Sequence, residues 1–410
     1  LSPWPFQFIL FDGWGMGIEY NEPNGHTEML KDQLSVDPSR RKPGGVCLAC
    51  KTPYARELKD KLQGDFFGKS YAEVHAHIPE KHKELGLSCA DCHESTTMEL
   101  RITRWMLNDA LGNMGKNPSK LARHELRSLV CAQCHSTYSI PKDAGGKSTN
   151  LIFPWANGKW GEISVEDVIK QIKDENLLEW KHVPTGQYLG HIRHPDFELY
   201  SSPGGVHWAA GVSCADCHMP YERIGGEKMT SHRWESPFKK EMKPCMQCHG
   251  ESAEWLKEQV LAIQDRVNHL FTRAGYAAAS AALTIETALK NPQQDGAAIK
   301  KAQELYAEAY YRVVWIGAEN SMGFHNPVEA LRVLGDGLDF AHKAEKLARE
   351  AIIKTGLIAP DFDAETIDKI VAERYPTKDG KTGFKPDAIK KAKLIGGEVS
   401  VQPTRNYKSD

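Results

Sequence analysis

The 410-residue chain is long enough for a substantial core and for two domains on the usual length prior. Its net charge is -2, with 52 basic residues scattered rather than clustered, which argues against nucleic acid as a partner. It contains no apolar run of the roughly eighteen residues that a membrane span requires, and it opens at Leu1 without a basic, then apolar, then small-residue leader, so an export signal is expected to have been removed or never present.

Taken in order, residues 1–46 are rich in Pro and Gly (Trp4-Pro5, Gly13-Trp14-Gly15, Glu22-Pro23-Asn24-Gly25-His26) and read as loop. His26 is the only histidine of that stretch and a candidate ligand reaching inward. Residues 47–250 alternate short helical runs, such as Thr52–Leu62 and Ile102–Leu111, with turns at Asn117-Pro118 and Gly145-Gly146. No alternating apolar pattern there is long enough for a large sheet.

From residue 251 the pattern changes. Trp255, Leu256, Val260, Ile263, Val267, Leu270 and Phe271 keep helical spacing, and an alanine-rich continuation carries the helix to Asn291-Pro292. A second helix fits Ala297–Ala318. A third begins at Asn326-Pro327-Val328-Glu329, where Asn326 caps, Pro327 takes the first helical position and Glu329 stands at N3. Tyr306, Tyr310, Tyr311 and Trp315 read as core packing rather than cofactor contacts. The tail from Asp361 is polar and lysine-rich and reads as surface, partly mobile. The expected fold is mainly α, with little β structure and long C-terminal helices, divided into residues 1–250 and 251–410.

All ten cysteines fall into five Cys-x-x-Cys pairs. Four are followed by histidine: Cys89 and Cys92 with His93, Cys131 and Cys134 with His135, Cys214 and Cys217 with His218, and Cys245 and Cys248 with His249. The first, Cys47 and Cys50, is followed by Lys51. Cys-x-x-Cys-His is the pattern of c-type haem attachment: two cysteines one helical turn apart form thioethers to the vinyl groups, and the next residue lies under the iron. Zinc clusters would want paired Cys-x-x-Cys units at short, regular separation. The separations here are long except for the last two, and four immediate histidines favour haem over zinc or disulfides. Covalent haem is normally fixed outside the bacterial cytoplasm, so a periplasmic location is expected. The haems would also form much of the core of residues 1–250, which suits a hydrophobic content of 40%, slightly below the usual ~45–50%.

Five irons have ten axial positions. Lys51, His93, His135, His218 and His249 fill five, and the chain's other histidines compete for the rest. Local context favours His207 and His232, each shortly before an attachment motif, and His325 beside the third long helix. His75, His77 and His82 stand in a charged stretch, and His269 and His342 sit within helices, where a solvated or satisfied side chain is the plainer reading. To bind iron, Lys51 must lose its proton, which takes desolvation and the pull of the ferric ion; otherwise it is a surface lysine and a distant residue binds instead.

With these residues in place the chain resembles the pentahaem cytochrome c nitrite reductases of the ammonia-forming type, from Tyr20-Asn21-Glu22-Pro23-Asn24-Gly25-His26 to Gly323-Phe324-His325-Asn326-Pro327, in the order one Cys-x-x-Cys-Lys and then four Cys-x-x-Cys-His. The resemblance implies a multihaem cytochrome c fold with five covalent haems c. The Lys51 haem would be open to substrate and the other four closed by two histidines. It further implies that His26 completes the haem at Cys131 and Cys134, His232 that at Cys89 and Cys92, His325 that at Cys214 and Cys217, and His207 that at Cys245 and Cys248.

On the open side it implies a pocket of Arg104 (with Arg101 close by), Tyr138 and His194, which would reduce nitrite to ammonium. A quinol-linked membrane cytochrome as electron donor and a homodimer through the long helices are likewise implied. Many such relatives hold calcium beside the pocket through a glutamate, a lysine and a glutamine, and a subgroup lacks it. Here those positions read Thr137, His191 and Arg193, so calcium is expected to be absent and Arg193 to supply its charge. The competing readings are an electron-transfer cytochrome with every iron closed, and a multihaem reductase of sulfite, hydroxylamine or tetrathionate.

Overall fold

The computed structural model describes residues 4–14, 25–35 and 45–375. About 56% of them are helical and about 5% extended, so the architecture is mainly α as expected. The described strands form two antiparallel pairs, Trp180–Lys181 with Tyr188–Leu189 and Tyr221–Ile224 with Glu227–Thr230. The lead-in motif Tyr20–Asn24 and residues 376–410 lie outside the described residues.

The chain forms two compact units that interleave along the sequence. One takes in Leu1–Ile18, Leu178–His191 and Glu235–Asp410; the other takes in Glu19–Leu177 and Ile192–Trp234. The division after residue 250 follows chain order, whereas the units group the fifth motif with the long helices. The reason is local. Met242 and Cys245 pack with Leu256, Val260 and Phe324 in one apolar cluster, which joins the fifth motif to the start of the first long helix.

The first unit is built on three helices, Ala253–Leu289, Gly296–Ala318 and Pro327–Ile353, which pack on one another. Each start is capped by a side chain. The Ser252 hydroxyl accepts from the Trp255 N–H, the Asp295 carboxylate from Ala297 and Ala298, and Asn326 from Glu329, with Pro327 at the first position. Ala274, Ala278, Ala281 and Ala282 are fully buried, so the first helix presents a small-residue face that lets its neighbours come close. Tyr306, Tyr310, Tyr311 and Trp315 are buried in the core. Tyr306 stacks on the buried His182 at 5.2 Å, and the Tyr311 hydroxyl accepts the Gly190 N–H at 2.8 Å.

Two stretches read as irregular prove partly helical. In the lead-in, Phe6–Leu10 is a helix because Phe6, Ile9 and Leu10 recur on one face; Phe6 packs edge-on against Phe271 and Tyr276. Met29–Ser35 is a second helix. Beyond Asp361 the chain forms Ala364–Arg374, capped by Asp363, with Ile367 and Val371 buried and Asp368 accepting the Tyr276 hydroxyl at 2.6 Å.

The second unit is a set of short helices and turns around the first four motifs. Its longest helices are Trp105–Asn113, Arg123–Ala132 and Val165–Asp174. The last two of these, and the Cys89–Asp91 and Cys214–His218 turns, share one entry device: an acidic residue at the third position accepts the N–H of the capping residue.

Candidate haem sites and active-site pocket

In all five motifs about one turn of backbone separates the two cysteines. The first is the 3₁₀ turn Gly45–Cys50, continued by Lys51 N–H to the Leu48 carbonyl at 3.2 Å. Gly45 is required there by close approach, since a Cβ would collide with the Phe66 carbonyl oxygen. In the second, third and fifth motifs the histidine N–H bonds the first cysteine's carbonyl at 2.8–2.9 Å, and the fourth is itself the helix Cys214–His218.

Among the ten cysteines, Cys47, Cys50, Cys89, Cys92, Cys131, Cys134, Cys214, Cys217, Cys245 and Cys248, no two are joined in a disulfide. They are not equally enclosed. Cys217, inside the helix Cys214–His218, is half-buried, whereas Cys248 is exposed, as is Cys89. The fifth motif packs inward through Cys245 only, and Cys248, whose N–H donates to the Cys245 carbonyl at 3.1 Å, lies on the outer side of the turn. Cys217 and Cys248 are the second cysteines of the fourth and fifth motifs.

Within the second unit the motifs crowd together. The Cys50 thiol meets Cys134, and Cys131 meets Cys214, so the third motif adjoins both the first and the fourth. His93 faces His232 with ring centres 6.2 Å apart, and His135 faces His26 at 5.8 Å. With a metal–nitrogen bond of about 2 Å and roughly 1 Å more to each ring centre, two imidazoles on opposite faces of one iron stand roughly 6 Å apart. Both pairs therefore fit a closed haem. The outer nitrogens are engaged: His93 Nδ1 pairs with the Met98 carbonyl at 2.7 Å and His135 Nδ1 with Asp196 at 3.1 Å, which leaves Nε2 for the iron. Burial, then the neighbouring His135, lowers the His26 pKa to about 4, so this imidazole is neutral as a ligand must be.

The partners expected for the fourth and fifth motifs lie in the unit opposite to their motif. His207, half-buried on the short helix Val206–Ala209, belongs to the second unit. His325 belongs to the first, where its Nδ1 lies 3.3 Å from Glu319. Glu319 is held in turn by the N–H groups of Ser321 and Gly323.

Arg104 and Arg101 are cleanly separated. Arg101 is exposed and donates to the Ala90 carbonyl, while Arg104 is 1% exposed. The Arg104 guanidinium donates to Asp91 at 2.5 Å, to the Thr52 carbonyl at 3.1 Å and to the Thr103 hydroxyl at 2.8 Å. These bonds engage both terminal nitrogens, while Nε is buried with no hydrogen-bond partner. Asp91 lies between the cysteines of the second motif with no exposed side-chain surface, and a buried carboxylate requires a paired charge. Arg104 provides it and is thereby a positioning residue that ties the second motif to the residue following Lys51. Gln133 of the third motif completes the knot: its carbonyl oxygen accepts from Thr103 and from the Arg104 N–H, and its amide donates to the Asp91 carbonyl.

Sequence reading missed Asp91, Gln133 and Asp196. A signal did exist for the first, because Cys-Ala-Asp-Cys-His occurs twice and each Asp pairs with an arginine, Asp91 with Arg104 and Asp216 with Arg127.

Tyr138, Arg193 and Thr137 come together. The Arg193 N–H donates to the Thr137 hydroxyl at 3.0 Å, its guanidinium donates to the Tyr138 carbonyl at 3.2 Å, and the same group lies 4.8 Å from the Tyr138 ring centre. Thr137 is steadied from behind by the fully buried Glu198, which accepts its N–H at 2.7 Å. Burial pushes the Glu198 pKa well up. His194 follows with φ of 48°, a left-handed conformation that histidine adopts more readily than most residues. Its ring is 6.3 Å from that of His135, burial lowers its pKa to about 4, and its Nδ1 has no hydrogen-bond partner. His191 belongs to the other unit and stacks on Trp14 at 4.1 Å.

A mainly helical fold carrying haem-attachment turns with facing histidine pairs is that of a multihaem cytochrome c, with haem bound covalently. The cytochrome c552 family model matches residues 1–401, and the chain belongs to that family. It is 36% identical over 372 residues to the cytochrome c nitrite reductase subunit NrfA of Nitratidesulfovibrio vulgaris, covering 85% of this chain and 69% of that one. To cytochrome c-552 of Bacteroides fragilis it is 32% identical over 381 residues, covering 90% and 74%. Among solved structures, the catalytic subunit of cytochrome c nitrite reductase from Desulfovibrio desulfuricans, described with two calcium sites, superposes with a TM-score of 0.79 at 31% identity, over 90% of this chain and 79% of that one.

Breaking a buried ion pair from one side leaves the other charge unpaired. Arg104→Met is therefore expected to cost about 3–5 kcal/mol in denaturant unfolding of the holoprotein, and Arg104→Met with Asp91→Leu to recover much of that loss. Simple addition of the two single effects would contradict the positioning role.

Proposed function

We propose that the protein reduces nitrite to ammonium at a lysine-ligated haem, the first of five covalently attached haems c, with the other four closed by histidine pairs. The observation that carries this reading is Lys51 in the place that histidine holds in the other four motifs, within a family whose relatives include named nitrite reductases. The conversion joins one nitrite, six electrons and eight protons into ammonium and two waters. Cys47, Cys50 and Lys51 would hold the first haem, which would pass on the donor's electrons and offer its iron to nitrite.

The chain's own groups do the rest. His194 offers a buried, neutral imidazole whose Nδ1 is available to hydrogen-bond a nitrite oxygen and pass a proton. Arg193 holds a fixed positive charge against the Tyr138 ring and carbonyl, in position to stabilise negative charge on the substrate. Tyr138 is the candidate for proton or hydrogen-atom transfer. Arg104 holds the first and second motifs in register from behind.

We assign this chain to the forms that lack active-site calcium. Thr137 has no carboxylate, and the Tyr138 carbonyl accepts from the Arg193 guanidinium instead. Covalent haem points to a periplasmic location, a quinol-linked membrane cytochrome fits as electron donor, and the long helices suit a homodimer. Among the described residues no helix is long and apolar enough to cross a membrane.

Nitrite-dependent oxidation of a reduced dye, with ammonium quantified, is expected to give one ammonium per six electrons. His194→Ala is expected to lower turnover at least ~10²-fold, the usual effect of losing a preorganised donor; release of nitric oxide or hydroxylamine as main product, or a His194→Ala rate within threefold of wild type, would refute the assignment. Chelator-washed enzyme is expected to keep full activity without calcium, and a tightly held calcium whose removal abolishes turnover would overturn the role given to Arg193.

A further inference from the structure

The histidines of the second and third motifs differ in what stands behind them. His93 Nδ1 pairs with a neutral acceptor, the Met98 carbonyl, at 2.7 Å. His135 Nδ1 pairs with the carboxylate of Asp196 at 3.1 Å. That carboxylate is 9% exposed and lies on the helix Asp196–Ser201, every residue of which is buried. The helix is pinned to the same histidine a second time, because the Phe197 N–H donates to the His135 carbonyl at 3.1 Å. The helix is thus tied to His135 by two bonds, one at its ring and one at its backbone carbonyl.

From this geometry we infer that Asp196 is a positioning residue that makes His135 a stronger electron donor and sets the haem on the third motif at a lower reduction potential than the haem on the second. A carboxylate that accepts Nδ1–H draws the ring toward imidazolate, which raises ligand basicity and favours the ferric state; a carbonyl does so less. The placement matters because the third motif adjoins the first through Cys134 and Cys50. The haem so tuned is a direct neighbour of the one on Lys51, and a low potential there gives each electron delivered to the substrate site a larger driving force. This inference rests on the reading above that His135 and His93 are iron ligands.

The test uses the holoenzyme and its Asp196→Asn variant, whose amide oxygen still accepts Nδ1–H but carries no charge. Redox titration followed by electron paramagnetic resonance is expected to show one low-spin haem shifted to higher potential, with the remaining low-spin haems and the Lys51 haem unmoved. No low-spin shift, or an equal shift of all, overturns the inference. If the variant fails to accumulate, near-infrared magnetic circular dichroism of the wild type decides. At least one bis-histidine haem is expected to have its charge-transfer band displaced in the imidazolate direction, and coincidence of all at the neutral-imidazole position overturns the inference. A wild-type spectrum lacking bis-histidine haems would instead remove the ligand reading on which it stands.

Discussion

The arrangement of the first three motifs depends on one buried ion pair. Asp91 cannot reach water, so the second motif is stable only with a cation against it, and Arg104 is that cation. Because Arg104 also donates to the Thr52 carbonyl, meeting the charge requirement of the second motif fixes the backbone next to Lys51. Gln133 extends the same network into the third motif, where its amide is fully used on both sides. A network of this kind loses more than one bond when any member is removed, since each remaining polar group is left buried without a partner. The backbone beside Lys51 is in this way set by Asp91, Arg104 and Gln133.

On the other side of the third motif a second chain of contacts runs from Glu198 through Thr137 to Arg193 and Tyr138. Its logic is complementary. Burial pushes the pKa of the acid behind Thr137 upward, and the Arg193 guanidinium stands against Tyr138. His194 and Arg193 are adjacent in sequence, the first an imidazole whose pKa burial lowers to about 4, the second a guanidinium.

How much of this was legible in the sequence depended on the range of the interaction. The attachment turns and the three long helices are local: spacing of Cys and His, and capping by Ser252, Asp295 and Asn326, are written within a few residues. The same spacing says nothing of enclosure, which is why Cys217 and Cys248 read alike although one is half-buried and the other exposed. The short helices Phe6–Leu10 and Ala364–Arg374 also carried a local signal in Phe6, Ile9 and Leu10 and in Ile367 and Val371, but the surrounding Pro, Gly and Lys residues outweighed it until tertiary packing was visible. Arg104 was singled out through the resemblance to a pocket arginine, and its pairing with Asp91 went unread. Its carboxylate stands 13 residues earlier, inside a motif whose intervening positions carry no ligand, and nothing in a linear pattern distinguishes a charge that meets substrate from one that meets Asp91. The same limit hid Asp196, whose significance comes from the His135 ring 61 residues away.

The central claim is that one iron, held from below by Lys51, is open and the others are closed. The most direct measurement is a nitrite titration of the oxidised holoprotein followed by electron paramagnetic resonance. The account predicts that a single haem signal, distinct from those of the bis-histidine haems, responds to nitrite and saturates at one equivalent per chain. No responsive haem, or a response spread over several, would contradict it.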